Sequence, residues 1–215
     1  MRRKSSEVQL KMSRKDLWEN IYADKSPTGV SWYQKEPATS LSLIRNLPLE
    51  RDVNIIDVGG GASTLVDYLL EDGFKNITVL DLSSNALALA RKRLGEKADL
   101  INWKTEDITS YVPGHDYSLW HDRAVFHFLT EKGDREKYKK VLESSIRNGG
   151  FVIIAAFSMD GPRRCSGFDI VQYDAEKLQN ELGGSFKLVK ELPEKHITPA
   201  GKEQLFGYYV FTKSA

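Results

Sequence analysis

Three aspartates stand at the ends of three successive apolar runs in the first half of the chain. Asp57 precedes a turn of three glycines at 59–61, Asp81 follows Gly61 by 20 residues, and Asp107 comes just after the third run. In an open α/β sheet the carboxyl ends of parallel strands share one edge, and ligands bind there. The spacing therefore predicts one ligand site to which all three carboxylates contribute.

The glycine turn and the carboxylates suit a nucleoside that carries positive charge. Glycines at 59–61 allow the backbone to approach a ligand closely, and Asp81 can accept hydrogen bonds from both hydroxyls of a ribose. Asp107 and the amide of Ile108 offer an acceptor and a donor to an adenine edge. Asp57 would repel a pyrophosphate but favours an amine or a sulfonium. This sign argument favours S-adenosylmethionine over NAD.

Two of these aspartates also have purely structural interpretations. Asp81 could cap the helix that follows it, a role for which Ser83 competes, and Asp107 could cap the turn before Thr109. The occurrence of three acids at three successive strand ends favours the ligand site.

The elements that position these residues alternate between strand and helix. Parallel strands are predicted at 54–58, 76–81, 100–104, 116–121 and 151–157. Helices are predicted at 37–47, 64–71, 83–94, 135–147 (ended by the glycine signal Asn148-Gly149-Gly150) and 174–182. Two last strands, at 186–192 and 207–212, are joined without a helix across 193–204, so they should pair antiparallel. The pattern predicts an α/β, Rossmann-like, mostly parallel sheet closed by an antiparallel hairpin.

The chain before this sheet is predicted to be helical. Ser13 is expected to cap a helix, with Asp16 at the third position of a capping-box variant, and Trp18 and Tyr22 belong to its apolar stripe. We expect one domain over 1–215, with an N-terminal helical cap at 13–50 and a disordered tail at 1–12.

Composition narrows the possible partners. Lys and Arg number 31 against 30 Asp and Glu, a formal charge of +1, which predicts no large nucleic-acid footprint. No apolar run approaches the roughly 20 residues that span a bilayer, so no membrane partner is expected. Cys165 is the one cysteine and predicts a reducing, cytoplasmic location. No His/Cys cluster has metal-ligand spacing, so no metal is predicted. The oligomeric state stays open.

Four motifs follow one another along the chain: Ile56-Asp-Val-Gly-Gly-Gly61, Val79-Leu-Asp-Leu-Ser83, Glu106-Asp-Ile108 and Arg147-Asn-Gly-Gly150. In this order they resemble the motifs of class I S-adenosylmethionine-dependent methyltransferases, and the resemblance covers about 13–213. It implies a seven-stranded sheet, S-adenosyl-L-methionine as cofactor, and transfer of a methyl group to a small-molecule or protein nucleophile.

The resemblance also implies roles for residues. The glycine turn with Asp57 would contact the methionine part, Asp81 the ribose, and Asp107 with Ile108 the adenine. The predicted cofactor-binding residues are Trp32, Tyr33, Asp57, Gly59, Gly60, Gly61, Ser63, Asp81, Leu82, Ser83, Asp107, Ile108 and His121.

A narrower likeness comes from aromatic segments and from the sequence after the fourth strand. Trp18-x-x-x-Tyr22, Ser31-Trp-Tyr33 and Trp120-His-Asp-Arg123 are similar to a branch with thiopurine-type and some protein-lysine methyltransferases. That likeness implies that the aromatic segment folds over the cofactor, and that the Asp-Arg pair lies at the active-site mouth.

Three residues are the catalytic candidates. Asp122 is the first choice, as a general base or as an acceptor that orients an incoming amine, and His127 is the second. Arg123 belongs to the predicted pair at the mouth. The alternatives are that Asp122 and Arg123 form an ion pair that fixes the loop, and that His127 is a packed histidine. Cys165 is interpreted as a wall of the substrate pocket.

Two other functions compete with methyl transfer. Thr64 replaces the third glycine of a full G-x-G-x-x-G, which disfavours a nicotinamide-dependent Rossmann oxidoreductase, as do Asp57 and the terminal hairpin. A non-catalytic S-adenosylmethionine-binding module is the third hypothesis.

Overall fold

The computed structural model describes residues 13–24 and 26–214. The tail predicted as disordered, 1–12, lies outside the described residues.

A seven-stranded sheet forms the centre of the described chain. Its strands are β1 Asn54–Val58, β2 Asn76–Asp81, β3 Ile101–Thr105, β4 Tyr117–Arg123, β5 Ile146–Phe157, β8 Phe186–Ile197 and β9 Glu203–Lys213. The order across the sheet is β3-β2-β1-β4-β5-β9-β8. The first five strands are parallel, and β9 is antiparallel to both β5 and β8. The predicted fold class is confirmed.

Helices cover both faces of the sheet. They are α1 Arg14–Asp24, α2 Ala38–Arg45, α3 Leu65–Glu71, α4 Ser84–Leu94, α5 Lys132–Ser145 and α6 Ala175–Leu182, with 3-10 turns at Gly95–Leu100 and Phe126–Phe128. One apolar cluster surrounds Trp120 and Tyr138 on the α5 face, and another surrounds Leu65 and Leu119 on the α3 face. A short separate hairpin, β6 Arg164–Cys165 with β7 Phe168–Asp169, follows β5.

The terminal hairpin is longer than the sequence pattern predicts. Strand β8 continues to Ile197 and β9 begins at Glu203, so most of the predicted connection at 193–204 is strand. Pro193 is accommodated because β8 is an edge strand, where a missing N–H need not break the ladder. The extension carries Gln204 and Phe206 to the carboxyl end of β5, since Phe206 pairs with Phe157.

The glycine pair after α5 does not end that helix. The helix ends at Ser145, and Gly149 and Gly150 lie within strand β5. The β4–β5 register shifts between Tyr117 and Leu119, and Gly149 adopts a φ of +71° in the same stretch. A register shift of this kind needs a residue that tolerates positive φ. The glycines therefore allow the irregular start of β5.

Within the described part of the chain, no helix has the length and apolar character needed to cross a membrane.

Candidate functional site

A continuous cleft follows the carboxyl edge of the sheet. Its larger part, the long cavity, has a volume of about 880 Å³ and extends from Asp107 after β3 to Phe206 on β9. Its smaller part, the turn cavity, has a volume of about 560 Å³ and lies over the glycine turn. Trp32, Gly59 and Arg123 line both.

Asp81 lies in the long cavity and is almost fully buried. Burial raises the pKa of Asp81 to about 7; the backbone amide of Ser83 opposes that shift, and the charge of Asp57 adds to it. One oxygen, Oδ1, accepts the amide of Ser83 at 2.8 Å. Ser83 itself caps α4, because its Oγ accepts the amide of Ala86. The capping role thus belongs to Ser83, and Asp81 supports the same turn from the cleft.

Asp107 and Ile108 line the same cavity. Oδ1 of Asp107 accepts the amide of Thr109 at 2.9 Å, as the turn-capping interpretation predicts. Oδ2 accepts from Nη2 of Arg14 at 3.1 Å. The carboxylate therefore holds its own turn and also anchors α1 across the cleft.

A buried chain of polar groups lines the turn cavity. Nδ1 of His121 donates to Oδ1 of Asp57 at 2.7 Å, and Nε2 of His121 lies 2.9 Å from Oγ of Ser40. Oδ2 of Asp57 is buried and has no hydrogen-bond partner among the described residues. A buried, unpartnered carboxylate oxygen calls for a donor. The cationic ammonium of S-adenosylmethionine would supply it, so this end of the cleft fits that cofactor.

The three glycines make room for protein groups as well as for a ligand. A Cβ on Gly60 would lie 2.5 Å from Oδ2 of Asp57, and a Cβ on Gly61 would lie 2.5 Å from Oδ2 of Asp81. Gly59 has a φ of +67°. Gly61 and Ser83 line neither cavity formed by the described residues. In this structure they shape the turns that hold the acids, and their contact with the cofactor stays a prediction.

The other predicted cofactor residues are distributed between the two cavities. The long cavity includes Leu82, and the turn cavity includes Tyr33, Gly60 and Ser63. Trp32 lies between them, where its Nε1 donates to the hydroxyl of Tyr22 at 3.0 Å.

Helix α1 covers the end of the long cavity that Asp81 and Asp107 line. Trp18 meets Trp32 edge-on at 5.6 Å between ring centroids. The carboxylate of Glu19 accepts from Oγ of Ser83, from the amide and hydroxyl of Ser84, and from the amide of Asn85. These donors are the free groups at the N-terminus of α4, where negative charge is favoured. Burial raises the pKa of Glu19, but the hydrogen bonds outweigh it and bring the pKa to about 2.

We expect Glu19→Gln to weaken the contact between α1 and the N-terminus of α4. The carboxylate loses its charge at a helix N-terminus, so amide exchange over 14–24 should rise about tenfold, measured by hydrogen exchange with mass spectrometry. In the wild type, the folded pKa of about 2 lies below the ordinary 4.5. The hydrogen bonds between the Glu19 carboxylate and the N-terminus of α4 therefore stabilise α1 above pH 4.5, and they weaken as the pH falls toward 2. Asp24→Asn, at an exposed site on α1, is the matched control. If amide exchange over 14–24 is equal in the two variants, Glu19 does not hold α1 in place.

Asp122 occupies the interior, not the cleft. Its side chain is fully buried, and its oxygens accept from the amides of Val125 and Phe126 and, at 2.7 Å, from the hydroxyl of Tyr138. Burial raises the pKa of Asp122 to about 6 despite these hydrogen bonds. It lines neither cavity that the described residues enclose. In this position the carboxylate holds the turn after β4, which favours a structural role, and the general-base role stays a prediction.

His127 is likewise packed away from the cleft. Its Nδ1 accepts the amide of Phe157 at 3.3 Å, and its ring lies against Phe128 and Phe157. Burial, with the nearby charge of Arg123, lowers the pKa of His127 to about 3. The imidazole is fully buried and lines neither cavity among the described residues. These contacts match the packed-histidine alternative, and the proton-transfer role stays a prediction.

Arg123 is the catalytic candidate that does reach the cleft. Its Nε donates to the hydroxyl of Tyr208 at 2.9 Å, and Nη1 donates to the carbonyl of Trp32 at 3.1 Å. Its ion pair is with Glu194, at 3.4 Å, and not with Asp122. Consecutive strand residues point to opposite faces, which excludes the predicted Asp122–Arg123 pair.

Two residues that line the long cavity, Arg14 and Gln204, were not predicted from the sequence. Two others, Glu19 and Glu194, lie behind the cleft and hold Ser83 and Arg123. No local spacing marks these four residues, because each reaches its position only through tertiary packing. Cys165, interpreted as a pocket wall, does line the long cavity.

Comparisons with known proteins agree with this geometry. The sequence profile described as a methyltransferase domain matches residues 56–152. Human EEF1A lysine methyltransferase 2 is 24% identical over 209 residues, covering 89% of this chain and 81% of that protein.

Two solved structures share the fold. A methyltransferase from Anabaena variabilis aligns with a TM-score of 0.74 and 17% identity, over 94% of this chain and 96% of its own. The N-methyltransferase NodS from Bradyrhizobium japonicum, in complex with S-adenosylhomocysteine, aligns with a TM-score of 0.73 and 17% identity, over 94% and 98%.

These proteins are methyltransferases, and none of the comparisons supports a nicotinamide-dependent oxidoreductase or a non-catalytic module. The order of the motifs, the order of the strands and the matched profile lead to the same conclusion. They indicate a class I S-adenosylmethionine-dependent methyltransferase, an enzyme that transfers a methyl group and has S-adenosylmethionine as its cofactor.

Proposed function

We propose that this methyltransferase acts on the side-chain amine of a protein lysine. The observation that carries the proposal is the aromatic end of the long cavity, beyond Arg123, where Phe128, Phe157 and Phe206 form the walls. Aromatic walls suit the aliphatic stem of lysine. The name of the human relative, an EEF1A lysine methyltransferase, supports the same acceptor class.

The surroundings of this end would also favour the reactive form of the amine. Apolar walls disfavour an ammonium, and the guanidinium of Arg123 repels one. Both effects lower the pKa of a bound lysine, so more of it is neutral and nucleophilic. Asp122 and His127, which are buried elsewhere, would then not be needed as bases.

We assign cofactor binding to residues of both cavities. Asp57, through its unpartnered Oδ2, would hold the methionine ammonium; Asp81 would hold the ribose hydroxyls, and Asp107 with Ile108 would face the adenine. The segment 13–50 would act as the cap, with Trp18 and Trp32 excluding water from the cleft. When bound, the cofactor supplies an electrophilic methyl group on sulfur. The protein supplies alignment for the in-line displacement.

The test uses S-adenosylmethionine with a labelled methyl group. The full chain is incubated with recombinant elongation factor 1A, with methyl-depleted extract protein and with small thiols, and the protein products are acid-hydrolysed and chromatographed. We expect label in methyl-lysine, with much less of it at limiting cofactor in the Asp81→Ala variant and full labelling in the Asp99→Ala variant, whose site is exposed. Label confined to thiols, or to residues other than lysine, would overturn the proposal.

The location and partners follow from the same proposal. We propose a cytoplasmic enzyme whose partner is the lysine-bearing protein, since a single cysteine and a near-neutral charge suit that compartment and give no large basic footprint.

A further inference from the structure

The amide of Gln204 is an unsatisfied group at the aromatic end of the long cavity. Gln204 is nine-tenths buried and lines this cavity together with Phe206, which lies two residues further along β9 on the same face. Its Oε1 is buried and has no hydrogen-bond partner within the described chain. Buried polar atoms in folded proteins are nearly always partnered, so this oxygen indicates a donor that binds there.

The polar groups around Gln204 are already engaged. Arg123 uses its nitrogens on Tyr208, Trp32 and Glu194. His196, which pairs with Gln204 across the hairpin, lies 2.7 Å through Nε2 from the carbonyl of Ser31. None of these contacts involves Oε1 of Gln204, which is left without a partner among the described residues.

The strand order places Gln204 on the acceptor side of the cleft. The predicted adenosine contacts follow β2 and β3, whereas β9 lies beyond β4 and β5. A group on β9 is thus separated from the adenosine end by the strands over which the methyl group would pass.

We propose that Oε1 of Gln204 accepts an N–H of the incoming lysine amine and so aims its lone pair at the methyl group. This inference rests on the proposed lysine acceptor. In the step, the lone pair forms the N–C bond while the C–S pair stays on sulfur, leaving a neutral thioether. The extra proton on nitrogen then goes to water. Gln204 takes no proton, because an amide does not titrate in this range.

Gln204 can assist only those methyl transfers in which the lysine amine still has an N–H group. A neutral lysine amine has two N–H groups, the monomethyl amine has one, and the dimethyl amine has none. Gln204 therefore favours the first and second transfers and gives nothing to the third.

The experiment measures initial rates of mono-, di- and trimethyl-lysine formation in methyl-depleted extract protein, by the same hydrolysis assay. Gln204→Leu is compared with Gln204→Glu, which keeps an acceptor oxygen, and with Glu203→Gln at the exposed neighbouring site. Affinity for S-adenosylhomocysteine is measured in each variant. We expect Gln204→Leu to slow the first transfer about tenfold, with an affinity for S-adenosylhomocysteine within about twofold of wild type. Gln204→Glu and Glu203→Gln should stay within about threefold of the wild-type rate.

Three outcomes would overturn the proposal. If Gln204→Leu forms monomethyl-lysine at the wild-type rate, the role of Gln204 fails while the lysine acceptor stands. If its affinity for S-adenosylhomocysteine falls as much as its rate, Gln204 serves the fold instead. If the wild type forms no methyl-lysine, the proposed function fails as well.

Discussion

Replacing Asp122 by alanine is expected to lower the free energy of unfolding by about 3 kcal/mol. The carboxylate satisfies the amides of Val125 and Phe126 and the hydroxyl of Tyr138 in a fully buried site. Removing it leaves three buried donors without an acceptor, and each such donor costs about 1 kcal/mol or more. Urea unfolding monitored by circular dichroism measures the loss.

A control variant shows whether the loss of stability is specific to the buried Asp122 or follows from removing any aspartate. Asp116→Ala lies at an exposed position just before β4 and should change the unfolding free energy by less than about 0.5 kcal/mol. If Asp122→Ala keeps full stability but loses methyl transfer, the general-base hypothesis drawn from the sequence would be correct after all.

The raised pKa of Asp122 predicts whether the stability of the protein rises or falls with pH. Its folded pKa of about 6 lies above the ordinary 3.8 because burial disfavours the charge. Its contribution to stability is therefore complete below pH 3.8 and is lost as the pH rises through 6. The stability difference between wild type and Asp122→Ala should accordingly be larger at pH 4 than at pH 7.

Cofactor affinity should depend on pH through Asp81. Burial raises the pKa of Asp81 to about 7 in the cleft without ligand, and ribose hydroxyls donate best to the charged carboxylate. Binding therefore favours deprotonation, and S-adenosylhomocysteine should bind about tenfold more tightly at pH 8 than at pH 6. Isothermal titration calorimetry at the two pH values measures the change.

Asp81→Asn should remove most of this dependence and weaken binding at pH 8 by about 1–3 kcal/mol, because the side chain no longer titrates and no longer offers two acceptor oxygens. Asp99→Asn, on the exposed 3-10 turn after α4, should leave the tenfold change intact. A pH dependence that survives in Asp81→Asn would assign it to another group, and would count against the ribose role.

The ligand-facing edge of the sheet was predictable because its signals are local. The three aspartates, the glycine turn and the strand pattern occur within short stretches, and parallel strands bring their carboxyl ends together by topology. Asp57, Asp81 and Asp107 accordingly line the cleft. The capping box at Ser13 was equally local, and its hydroxyl accepts the amide of Asp16 at 3.1 Å.

The sequence did not show which catalytic candidates face the cleft, because that depends on the direction of each side chain. Asp122 and Arg123 are adjacent in sequence, yet strand geometry sends one into the core and the other into the cleft. When both faces of a strand are buried, composition and spacing do not show which of its side chains point into the core and which point into the cleft. Ala124, with a φ of +70°, turns the chain there so that Asp122 can bind the amides that follow.

The sequence by itself determined the fold class, the cofactor and the acids of its site, since each depends on residue types at local spacings along a regular βα pattern. The tertiary structure alone decided which polar groups face the acceptor. Arg123 and Gln204 reach the same cavity from strands that are about 80 residues apart in the chain. A contact between residues that are distant in sequence depends on packing, and no local pattern encodes it.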